Sequence, residues 1–192
     1  MLGVQAVERI SLEAAADRIS RCGLGTVTIR YEDELQSHVL TAQGAASASD
    51  QQLRCADTAA GYYDLELPDA AQQRFNAIRS DRTASLVFSE AKEWLIARGL
   101  LGRVPKYAKG TTNETAFTQE VEQLCGPRAT GAFRSSYGPD VLSQEWIKRE
   151  LGPGNSGSDV LACLLNVTTI AGFDIGIVGN EALPNTPRSK DC

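Results

Sequence analysis

From Gly157 to Ala171 the chain is apolar around almost its whole helical circumference, with Asp159 as its one charged side chain. Such a helix has no face to give to water, so the rest of the chain must enclose it. Ser156 and Asp159, three residues apart, have the spacing of a capping box, and Gly172 can stop the helix. The expected fold class is therefore α+β: a small antiparallel sheet packed against a mostly helical layer, with this helix near 157–171 at its centre.

The first third of the chain supplies the sheet. Leu12, Ala15, Ala16, Ile19 and Cys22 recur at helical spacing after Ser11, which can cap the helix, and Gly23 and Gly25 can end it. Thr26–Tyr31 then alternates, with Val27, Ile29 and Tyr31 on one face, and Gln36–Ala42 forms a second extended piece beyond the Glu32-Asp33-Glu34 tip. This pattern predicts a hairpin with one wet face. Ser49 and Gln52 form a second capping box before a helix that contains Cys55, and Tyr62–Leu67 alternates as a third strand.

Helical periodicity dominates beyond Pro68. It predicts one helix over 69–78 and another over 83–98 closed by Gly99. A further helix is expected after a Thr111/Glu114 capping box and ends at Gly126-Pro127. Phe173–Val178 reads as an internal strand, expected to pair with the early sheet. One fused domain over 1–183 is expected, with a subdivision near residue 68, followed by a polar flexible tail over 184–192 that carries Pro184 and Pro187.

With 24 acidic and 19 basic residues the net charge is -5, a field that opposes phosphate backbones. The basic residues Arg98, Arg103, Lys106 and Lys109 surround a Gly/Pro turn and read as a solvated loop, so no nucleic-acid partner is expected. No apolar window is long enough for a membrane span. The first residues lack the basic-then-apolar order of a signal peptide, which leaves a cytoplasmic chain or a periplasmic or secreted one whose leader was removed.

Five cysteines, Cys22, Cys55, Cys125, Cys163 and Cys192, stand far apart with no Cys-x-x-Cys pair, and His38 is the lone imidazole. This is not the clustering of a structural zinc site, and no metal or cofactor is expected. Two readings of the cysteines stand. The preferred one makes Cys22, Cys55, Cys125 and Cys163 buried thiols acting as small hydrophobes; the other pairs them in one or two disulfides.

The candidate site residues are scattered. Asn155, Ser156 and Ser158 precede the apolar helix, where backbone amides can hold an anion, although the lysine of a phosphate loop is missing. Asn180 and Glu181, together with Glu145 and Cys125, are the candidates for a pocket assembled in space. Trp94 and Trp146 are the candidate interface anchors. His38 lies in a strand without a recognisable nucleophile, and no Gly-x-Ser-x-Gly elbow is present. The Asn113 and Asn166 glycosylation patterns fall on predicted helices and read as coincidence.

Since no catalytic motif stands out, the leading expectation is a non-catalytic binding or accessory protein. It would act on another protein through an exposed aromatic or apolar patch on the helical half. The alternative is a small hydrolase or transferase whose cleft is built from distant polar residues.

Overall fold

A computed structural model describes residues 10–34, 36–152 and 158–177. The fold is α+β, with a small, partly antiparallel sheet and a predominantly helical body. Contacts group into two compact units, Met1–Ser85 and Leu86–Cys192, and Pro68 lies within the first.

In the first unit, α1 (Leu12–Ile19) starts where Ser11 Oγ accepts the Ala14 amide at 3.2 Å. The chain leaves α1 through a wide turn, Ser20–Leu24, in which Gly23 has φ +83°. A Cβ at Gly23 would stand 2.6 Å from Gln52 Nε2, the end of a side chain that can move aside, so it is the backbone conformation that asks for glycine here. Gln52 does three jobs there: Nε2 donates to the Gly23 carbonyl, Oε1 accepts the Ser49 amide, and its own amide donates to Ser49 Oγ. The predicted capping box of α2 (Asp50–Ala60) is thus complete.

Strands β1 (Val27–Glu32) and β2 (Ser37–Ala42) form the expected antiparallel hairpin, with Ile29 opposite Leu40 and Tyr31 opposite His38. The third strand, β3 (Asp64–Glu66), adds to β2 in parallel, giving the order β1-β2-β3. The expected all-antiparallel sheet is corrected here. Because α2 lies between β2 and β3 in the chain, β3 returns by a crossover rather than by a hairpin. The core beneath the sheet gathers Ile19, Leu24, Leu40, Leu53, Leu65 and Phe75.

The two helices expected over 69–78 and 83–98 are one, α3 (Asp69–Ala97). The polar Arg79-Ser80-Asp81-Arg82 stretch contains neither glycine nor proline and does not break it. These side chains instead find a partner in α2. Arg79 Nε donates to Asp57 Oδ1 at 2.9 Å, and Arg82 Nε donates to Asp57 Oδ2. Asp57 is 1% exposed. Burial pushes its carboxyl upward, but the hydrogen bonds and charges of Arg82 and Arg79 outweigh this and hold it below the ordinary carboxylate range. Gly99, at φ +66°, ends α3 as predicted, with the Leu100 amide donating to the Leu95 carbonyl.

The second unit takes the end of α3 and adds α4 (Glu114–Cys125), α5 (Gln144–Leu151) and α6 (Ser158–Ala171). The cap of α4 is Asn113, whose Oδ1 accepts the Ala116 amide, and not Thr111. Thr112 Oγ1 is turned back onto the Ala108 amide. Tyr107, Phe117 and Phe173 meet ring against ring at 4.9–5.0 Å, beside a core that includes Val121, Leu142, Trp146, Leu164 and Val167. Helix α6 buries Val160, Cys163, Leu164, Val167 and Thr168, but Leu165 is 39% exposed, so the helix is not enclosed all round as its apolar composition predicts. Its predicted cap residue, Ser156, lies outside the described residues, as does the tail over 184–192.

The strand expected over 173–178 is short, β5 (Gly176–Ile177), and it pairs in parallel with β4 (Val141–Leu142) instead of with the early sheet. It is not internal either, for Ile177 is 63% exposed. The physical reason is local. The Phe173 amide donates to the Thr168 carbonyl, turning the chain sharply after α6, and the Gly176 amide then meets the Asp140 carbonyl at 2.7 Å.

Two disulfides replace the buried thiols of the preferred cysteine reading. Cys22–Cys55 ties the turn after α1 to α2, and Cys125–Cys163 ties the end of α4 to α6. Each lies inside one unit.

Opening Cys125–Cys163 by a paired Ser substitution is expected to cost about 3–4 kcal/mol from the loop-closure entropy of the 38-residue separation. Both tryptophans, Trp94 and Trp146, lie in the second unit. The loss should therefore appear as a lower urea midpoint read by tryptophan fluorescence. Asp57→Asn removes a buried partner of two arginines and is expected to cost about 3 kcal/mol at neutral pH. Because folding lowers this carboxyl's pKa, its contribution is full above about pH 4 and fades as pH falls through the folded value. The gap between wild type and Asp57→Asn should then shrink on acidification, as denaturation at pH about 7 and about 3 would show.

Candidate binding surface

Strand alternation and pairing place Val27, Ile29 and Tyr31 on the same face as Ala42, Leu40, His38 and Leu65. This is the face that the helices of the first unit cover. The cover is incomplete. Leu40, Ala42 and Leu65 are buried in the core, whereas Ile29 is 39% and Tyr31 52% exposed. His38 packs edge-on against the Tyr31 ring, centroids 5.0 Å apart, and is itself exposed. Among the described residues β1 pairs only with β2, so its outer backbone edge has no strand beside it. Proteins commonly blunt such edges with proline, with a bulge or with a charge on the covered face. β1 has no proline, its pairing with β2 is unbroken over six residues, and its covered face carries only Val27, Ile29 and Tyr31.

The opposite face of the strand is charged. Arg30 binds Glu32 at 2.8 Å and Glu66 at 3.1 Å, and Thr41 Oγ1 donates to the same Glu66 oxygen. One face of β1 is thus an open apolar strip and the other is an ion-paired, solvated surface.

The residues singled out by sequence fare differently. Trp146, a candidate anchor, is 1% exposed, and its indole N–H donates to the Arg128 carbonyl at 2.8 Å, so it is core and not interface. Trp94 is half-buried with the Arg98 guanidinium 3.7 Å over its ring. Cys125 is bonded to Cys163 and is no nucleophile. Glu145 is exposed in the first turn of α5. Ser158 is exposed at the start of α6, while Asn155, Ser156, Asn180 and Glu181 lie outside the described residues. Asn113 caps α4, and Asn166 Nδ2 donates to the Ala162 carbonyl, so both glycosylation patterns sit on helices as expected. Of the polar candidates, only Glu145, Cys125 and Ser158 fall within the described residues, and the strip on β1 was not among the candidates. Its sequence signal was already present in the Val27, Ile29, Tyr31 alternation; what sequence alone does not show is how far the helices reach over it.

Hollows indent the surface of the described residues. One, of about 420 Å³, lies between α4 and the 133–139 loop and is lined by Thr118, Gln119, Glu122, Arg134, Ser135 and Tyr137. Its carboxylate is already engaged, because Glu122 Oε2 accepts the Gly131 amide and Oε1 the Phe133 amide, both at 2.9 Å. The Thr118 hydroxyl donates to the Thr115 carbonyl, and Ser135 Oγ accepts the Tyr137 amide. The second, of about 430 Å³, lies beside β3, where Glu66 is held by Arg30 and Thr41 and the Gln72 side chain binds the Leu67 amide and Asn76. In both hollows the carboxylate holds the fold in place.

Glu150 is similarly committed. Hydrogen bonds from Arg149 and Arg128 hold the Glu150 carboxyl below its usual range. Among the described residues no group of three His, Cys, Asp or Glu side chains is placed to hold a metal ion, and no helix is long and apolar enough to cross a membrane. Comparison of the chain with protein-family models, with curated proteins and with solved structures finds no match in any of the three.

Glu122→Ala leaves the Gly131 and Phe133 amides without their acceptor and is expected to cost about 2–3 kcal/mol. Hydrogen exchange should quicken at both amides, and Glu122→Gln, which keeps one acceptor oxygen, should lose less.

Proposed function

We propose that this protein is a non-catalytic binding protein that acts on a protein partner through the open edge of β1. The observation that carries the reading is the pairing of a backbone edge that has no strand beside it among the described residues with exposed apolar side chains, Ile29 and Tyr31, on the covered face of the same strand. An incoming extended segment gains main-chain hydrogen bonds from the edge and an apolar contact from the strip, which is how strand addition combines affinity with selectivity. Other exposed apolar side chains, such as Leu86, Val87 and Phe88 on α3, offer contact area without a backbone edge to set register. The commitments of Cys125, Glu122 and Glu150 to structural bonds also favour binding over the alternative of a hydrolase or transferase. The two disulfides favour an oxidising compartment, periplasmic or extracellular, as the place of work.

The test compares partners recovered by the wild-type protein with those recovered by Ile29→Lys/Tyr31→Lys, a variant whose circular dichroism spectrum is expected to be unchanged because both sites are exposed. Partners held through β1 are expected to disappear with the variant. A partner retained equally by both forms would move the binding surface elsewhere.

A further inference from the structure

Resting on the strand-addition reading above, the geometry points to β1 of a second copy of this chain as the segment that fills the open edge. Two identical strands meeting edge to edge about a two-fold axis are antiparallel, and directly opposed residues point to the same side of the joined sheet. Only registers that keep the two covered faces continuous are therefore useful, and they place a single residue of β1 on the axis.

These registers differ sharply in chemistry. With Arg30 on the axis, two guanidinium groups face each other, a like-charge pair that opposes assembly. With Tyr31 on the axis, Ile29 falls opposite Asp33, beyond the end of the strand. With Ile29 on the axis, five residues of each strand overlap, as many as with Arg30, and the opposed pairs are better matched. Ile29 then meets Ile29, each Tyr31 lies opposite Val27 of the second copy, and each Arg30 lies opposite Thr28. Aromatic against β-branched is among the favourable cross-strand pairs, and no like charges stand directly opposed. Off the axis, Arg30 keeps its contacts with Glu32 and Glu66 of its own chain. The strip that the helices leave open is self-complementary in this register, and the product is a continuous sheet in the order β3-β2-β1-β1-β2-β3.

The test is sedimentation velocity on the full, oxidised chain. Wild type is expected to populate a dimer that grows with concentration. Ile29→Lys and Ile29→Glu, each placing two like charges at the axis, are expected to sediment as monomers. Their equimolar mixture is expected to recover the dimer, because lysine then faces glutamate across the axis. That recovery also shows that neither variant had simply lost its fold, which circular dichroism of each would check independently. A wild-type chain that stays monomeric up to its solubility limit overturns the inference, as does a dimer indifferent to Ile29→Lys. If the chain is monomeric yet a separate protein is lost from the Ile29→Lys/Tyr31→Lys variant, the strand-addition reading stands and only the identity of the occupant falls. If neither a second copy nor another protein is lost, both fall.

Discussion

Cys125 and Cys163 come from helices well separated in the chain, and their bond holds the end of α4 against the middle of α6. Around that joint the apolar side chains of the second unit close: Phe117 and Val121 from one helix, Leu164 and Val167 from the other, with Phe173 and Trp146 completing the packing. The bond in the first unit plays a matching part. It draws the turn after α1 onto α2, and the two helices so joined enclose Leu40, Ala42 and Leu65. Beyond these residues the cover ends, and Ile29 and Tyr31 are exposed.

The interior electrostatics follow the same economy. Asp57 fastens α2 to α3 through two arginines, Glu150 gathers Arg128 and Arg149, and Glu122 pins the 131–133 backbone. Each carboxylate is both buried and answered, which is the condition for keeping charge inside a fold. A carboxylate so fully engaged has little freedom to exchange protons with a substrate.

Local signals in the sequence translated well. Ser11, Ser49, Gly99, Gly126 and Gly172 mark helix ends where expected, because caps and left-handed glycines act within one turn of chain. The hairpin was equally legible, since alternation and a polar tip are both local. Non-local facts were not. Nothing in the spacing of Cys22, Cys55, Cys125 and Cys163 reveals which pairs meet, nor that β3 joins in parallel, nor that β5 prefers β4. The continuity of α3 was missed because a polar stretch resembles a linker until Asp57 is known to wait for it. The apolar strip on β1 was half visible: the alternation was plain, and its exposure depends on helices elsewhere in the chain.

Strand β2 has two neighbours acquired by different routes, β1 through a tight turn and β3 through a helix. During synthesis the hairpin is complete as soon as Ala42 has emerged, whereas β3 must wait for α2 to be made and folded back over it. Until then a nascent chain presents both flanks of a two-stranded ribbon, and such a ribbon alone is barely stable in water. Cys55 also precedes β3, so both cysteines of this bond are made before the strand that completes the sheet.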